Sequence, residues 1–88
     1  MMNNNAVNTI EWTKKAFKQL KLIPDAQKIY QASQVLKNWP DCKNVKKLKH
    51  RDDYRLRIGN YRVIFTVMRQ TPIIIRIEEV KKRNGHTY

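Results

Sequence analysis

The sequence predicts an α+β domain, with two N-terminal helices packed on one face of a mainly antiparallel, roughly four-stranded sheet. Three observations lead there. The run Tyr54–Phe65 alternates apolar and basic residues about a Gly59-Asn60 pair, the signature of a two-residue hairpin. Ile29, Ala32, Leu36 and Trp39 recur at steps of 3 or 4, a helical period. The stretch Ile73–Ile77, following Thr71-Pro72, reads as a third long strand.

The elements follow in order. Residues 1–6 are polar and expected to fray, and Val7–Trp12 can form a first strand. Thr13 suits a helix N-cap, with Trp12 and Phe17 placed as a hydrophobic staple. Ala16, Phe17 and Leu20 supply the apolar face of the first helix, and Lys14, Lys15, Lys18 and Lys21 point elsewhere. Pro24 fits the first turn of a second helix with Asp25 near its positive end, and Pro40 stops that helix. Asp41–Asp53 is expected to be a lysine-bearing linker into the hairpin. The hairpin should pair Ile58 with Tyr61, Arg57 with Arg62, Leu56 with Val63 and Arg55 with Ile64. Tyr54, Leu56, Ile58, Tyr61, Val63 and Phe65 then share an apolar face, under the helices, while Arg55, Arg57 and Arg62 gather on the open one.

Length and charge narrow the class. Eighty-eight residues make a single domain, residues 1–88, with 19 Lys plus Arg against 7 Asp plus Glu and a formal charge of +12. Such a balance favours nucleic acid or another polyanion as partner. Arg57 facing Arg62 is locally unfavourable by roughly 0.2–1 kcal/mol. A surface that concentrates guanidinium groups against that repulsion suits an anion, phosphate above all. No apolar run approaches the ~20 residues of a membrane span. The start Met1-Met2-Asn3-Asn4-Asn5 has no signal-peptide core, so a cytoplasmic location is the expectation. Cys42 is the single cysteine, which leaves no intrachain disulfide and no cysteine metal cluster; no metal or cofactor is expected. Tyr54 and Tyr61 read as core or rim, and His50 as a surface residue. Glu78 and Glu79 are available to pair with Arg76 or the hairpin arginines.

In element order the chain resembles the RelE/ParE toxin superfamily over nearly its whole length, most specifically in the Tyr54–Phe65 hairpin and the apolar strand ending in Lys82-Arg83. The RelE-like branch comprises ribosome-dependent mRNA interferases. The resemblance implies the toxin of a type II toxin–antitoxin pair, a metal-independent endoribonuclease that cleaves mRNA in the ribosomal A site and so inhibits translation. Its partners would be mRNA, the ribosome with its 16S rRNA, and a cognate antitoxin with an acidic, partly disordered segment. Arg55 and Arg57 match the basic residues of the first hairpin strand, Arg62 the arginine of the second, and Arg83 the one after the last strand. Arg62 and Arg83 are the candidates for stabilising the scissile phosphate. Lys81, Lys82, Lys46, Lys47 and Lys49 join Arg55 and Arg57 as candidate RNA contacts. Tyr88 resembles the C-terminal tyrosine associated with proton transfer, although its spacing from Arg83 is one residue short of the RelE pattern. His86 is the competing base, since some relatives use a C-terminal histidine. Two other functions stay open: ParE-like inhibition of DNA gyrase without nuclease chemistry, and RNA binding without catalysis.

Overall fold

A computed structural model describes residues 7–49 and 52–82. Strand β1 (Thr9–Trp12) leads into helix α1 (Lys14–Lys21), helix α2 (Ala26–Ser33) and a 3₁₀ segment (Gln34–Asn38). Strands β2 (Val45–Lys47), β3 (Asp53–Ile58), β4 (Tyr61–Met68) and β5 (Ile74–Lys82) follow. They form one five-stranded sheet in the order β1-β5-β4-β3-β2.

Local signals account for most boundaries. Thr13 caps α1 as expected, its hydroxyl accepting the Ala16 amide at 3.0 Å. The hairpin register is the expected one, Ile58 with Tyr61 through Arg55 with Ile64. Gly59 takes φ +56° at its tip, where a β-carbon would meet no neighbour but would strain the backbone. Buried Ser33 donates its hydroxyl to the Ile29 carbonyl at 2.8 Å, where α2 tightens into the 3₁₀ segment.

The helices cover one face of the sheet. Ala16, Leu20, Ile29 and Leu36 form a single core with Tyr54, Leu56, Val63, Phe65, Val67, Ile75, Ile77 and Val80. Tyr54 stacks on Phe65 and meets Trp39 edge-on, so it is a core residue.

Four expectations need correction. The sheet has five strands because Val45–Lys47, inside the expected linker, adds to the edge of β3. The sequence hid it because three residues are too few to show a period of 2. Strand β1 joins at the opposite edge, parallel to β5, so the sheet is mixed. Helix α2 begins at Ala26, after a turn that holds Pro24, rather than with Pro24 in its first turn. Phe17 is 47% exposed under the Lys21 ammonium, outside the core. Trp12 instead stacks on Tyr30, with ring centroids 5.7 Å apart.

Candidate nucleic-acid interface

Cross-strand register turns the alternation of the hairpin into a two-dimensional array on the uncovered face. Arg62 of β4 lies between Arg57 of β3 and Lys81 of β5, so three cations form one row across the sheet. The next row reads Lys46, Arg55, Ile64 and Glu79. A third reads Asp53, Thr66 and Arg76, with Glu11 of β1 beyond. Neighbouring strands lie about 4.8 Å apart, so Arg57 and Arg62 repel one another, while Lys81 at the end of the row is paired with Glu79 at 3.4 Å.

An irregularity in β5 shapes the lower part of this face. Ile64 pairs with Glu79 and Phe65 with Ile77, which leaves Glu78 as an extra residue. The bulge is anchored from the helix side. The Thr13 hydroxyl donates to the Glu78 carbonyl at 3.4 Å, and the Val80 amide donates to the Gln19 side-chain oxygen at 2.8 Å. Glu78 accepts the Thr66 hydroxyl at 3.0 Å. The carboxylates do not pair as the sequence suggested. Glu79 contacts Lys81 at 3.4 Å and Lys15 at 3.7 Å, and Arg76 pairs with Glu11 at 3.9 Å. Glu78 has no cationic partner among the described residues.

The site residues read from sequence separate into groups. Arg55, Arg57, Arg62, Lys46 and Lys81 come together on the open face. Arg57 is exposed, whereas Arg55 is half-buried and its Nε has no hydrogen-bond partner among the described residues. Lys47 and Lys49 stand apart, at the rim of an open concavity of about 830 Å³ that also meets Asp53, Thr66, Arg76 and Glu78. Lys82 pairs with Tyr61, outside the arginine row. Arg83, His86 and Tyr88 lie outside the described residues, as does His50. Thr66 is not singled out by the sequence; its alternation with buried neighbours places it on the open face, where it donates to Glu78 across the bulge.

Two further groups are structural. Arg69 holds Asp52 in a fork, Nε to Oδ2 and Nη2 to Oδ1 both at 3.2 Å, and reaches Tyr54 Oη at 3.4 Å. This hydrogen bonding holds the Asp52 carboxyl below the usual carboxylate range. Burial, with Asp41 nearby, pushes the Cys42 thiol up, the opposite of what a nucleophilic cysteine needs. No group of three or more metal-binding side chains occurs among the described residues. No helix there is long and apolar enough to cross a membrane.

Two helices thus cover one side of a mixed sheet, and the opposite side is basic. The comparisons agree. Residues 10–84 match the model of the ParE toxin of type II toxin–antitoxin system, parDE. The chain belongs to this family, and is a type II toxin–antitoxin toxin of the RelE/ParE/YoeB superfamily. Comparison with curated proteins gives no match. Among solved structures, a YoeB/ParE toxin from Agrobacterium tumefaciens is 14% identical, with 86% of this chain and 99% of that one covered and a TM-score of 0.69. The isolated E. coli RelE toxin is 17% identical, with 90% and 87% covered and a TM-score of 0.68. The RelB–RelE antitoxin–toxin complex from Methanococcus jannaschii matches at 30% identity, with 82% and 88% covered and a TM-score of 0.59.

Proposed function

We propose that this toxin is a metal-independent endoribonuclease that cleaves mRNA in the ribosomal A site. The observation that carries this reading is the Arg57–Arg62–Lys81 row on the open face. In RNA cleavage the 2′-oxygen attacks the adjacent phosphorus as a base takes its proton. The bond to the 5′-oxygen breaks, that oxygen gains a proton, and a cyclic phosphate and a free 5′-hydroxyl result. Charge builds on the phosphorus oxygens, and permanently charged guanidinium donors stabilise it. Arg62, at the centre of the row, takes this role with Arg83, while Arg55, Arg57, Lys46, Lys81 and Lys82 bind and orient the strand. Lys47 and Lys49 hold RNA further along. Tyr88 and His86 are the candidate bases. An unperturbed histidine titrates near ~6.5 and a tyrosine near ~10, so Tyr88 would need cationic neighbours.

The cognate partner is an antitoxin whose acidic segment folds on the basic surface, by analogy with the RelB–RelE complex. The match to a ParE toxin keeps a second reading, the inhibition of DNA gyrase that the ParE-like resemblance implies. One preparation tests both. Reverse-transcription mapping of 5′ ends in a translation extract should show cuts in ribosome-bound message, and gyrase supercoiling should continue. Blocked supercoiling with intact message would replace the nuclease by the gyrase reading.

A further inference from the structure

We propose that Glu79 is an internal counter-ion that sets selectivity between free and ribosome-held RNA. It occupies Lys81 of the cationic row and Lys15 of helix α1, and an RNA phosphate has to displace it. This inference rests on the proposed action on RNA and adds what regulates access to the same face.

The geometry joins the two sides of the sheet. Glu79 stands opposite Ile64, one row from Arg57, Arg62 and Lys81. Lys81 is two residues along β5, so strand alternation puts both side chains on the open face. The Lys81 ammonium meets Glu79 Oε1 at 3.4 Å. The Lys15 ammonium meets the same oxygen at 3.7 Å, coming from the helix side. That approach is open because β1 pairs with β5 only as far as Ile77.

Exposed ion pairs usually contribute little, because two long side chains must be ordered together. Here the acid is the ordered member. Its side chain is 27% exposed, against 57% for Lys81 and 64% for Lys15. The backbone on either side of it is tied to α1, through the Thr13 hydroxyl at the Glu78 carbonyl and the Gln19 oxygen at the Val80 amide. The lysines bring flexible four-carbon stems. Both contacts are longer than the about 2.7–2.9 Å of a tight charge-assisted hydrogen bond. Each ammonium is therefore free to turn to a phosphate while the carboxylate stays in place.

In the free protein the row offers Arg57 and Arg62 to an anion, with Lys81 already compensated. A phosphate arriving there must take Lys81 from Glu79 and then lie near a carboxylate that repels it. A strand binding from solution loses affinity through this competition. A strand already held by the ribosome brings its phosphate to the row at high effective concentration, and the exchange goes forward.

The test measures binding of a short labelled oligouridylate to the full-length toxin by fluorescence anisotropy, between about 50 and 200 mM salt. Glu79→Gln keeps the size of the side chain and removes its charge. It should bind several-fold more tightly at the low-salt end. Its plot of log K against log salt should be steeper by about 0.7 for one freed lysine and about 1.4 for two. Glu11→Gln makes the same change in net charge beside Arg76, outside the row, and should leave affinity and slope close to the parent's. Adding Glu79→Gln to a Lys15→Gln, Lys81→Gln variant should gain nothing. An unchanged slope in Glu79→Gln, an equal gain in Glu11→Gln, or a gain that survives without the two lysines overturns the proposal. Cleavage of ribosome-bound message, with the free oligouridylate added as competitor, separates this inference from the nuclease reading. The competitor should inhibit Glu79→Gln at a several-fold lower concentration than the parent. Cleavage with equal inhibition removes the counter-ion and leaves the nuclease. The expected binding gain without any cleavage does the reverse, and no RNA binding by parent or variant removes both.

Discussion

The side-chain oxygen of Gln19 accepts the main-chain N–H of Val80 at 2.8 Å, joining helix α1 to the strand that carries Lys81. Strand β1 pairs with β5 only as far as Ile77, and beyond that point the Val80 amide is satisfied from the helix. Gln19→Ala would leave the amide without its partner, at a cost of about 1–3 kcal/mol. Urea denaturation should show this loss. Lys81 sits one residue beyond the freed amide, so RNA affinity of the folded variant should fall as well.

Arg62 is flanked on both sides by cations, which makes it the central donor of the open face. Removing one donor to the developing charge typically lowers the rate by about 10²–10³. Single-turnover cleavage of ribosome-bound message by Arg62→Ala should drop by that factor while ribosome binding largely survives. Unchanged cleavage would take Arg62 out of the mechanism.

The proton-transfer group is sought at Tyr88 or His86. Tyr88→Phe removes only a hydroxyl, and His86→Gln removes titration near neutrality. One of the two should depress the chemical step strongly and change its pH profile. Parent-like behaviour in both would move the base to a lysine such as Lys81 or Lys82, or to the ribosome.

Asp52 and Arg69 make the pH-sensitive clamp of the fold. The Asp52 carboxyl is lowered on folding, first by the Arg69 hydrogen bond. Its contribution to stability is therefore full above the ordinary carboxylate value of about 3.9 and is lost as pH falls through the folded-state value. Thermal unfolding of the parent and Asp52→Asn should converge in acid and diverge as pH rises through that window. Both groups are exposed, so the separation should be small and should shrink in salt.

Phe65 is fully buried between the helices and the sheet, stacked on Tyr54. Phe65→Ala should cost about 3–5 kcal/mol. Gly59→Ala should cost far less, through the positive φ alone. Paired denaturation curves would test this order, and an equal loss in both would contradict it.

The sequence by itself determined the helix cap at Thr13, the hairpin register and the division of β3 and β4 into apolar and basic faces. Those features depend on residues close together in the chain. Strand alternation and turn geometry act locally, so a wrong register would have exposed Leu56, Val63 and Phe65 together. Tertiary structure decided the rest. Val45–Lys47 becomes a strand only because the edge of β3 is there to pair with it. Phe17 and Trp12 stand at the spacing of a local staple, yet Tyr30 on the other helix takes Trp12. The position of Glu78 depends on a bulge measured against β4 and braced by α1, a relationship between three segments that no single periodicity contains. Cationic residues scattered over the sequence become a row, and a carboxylate becomes its neighbour, only when β5 is laid beside β4.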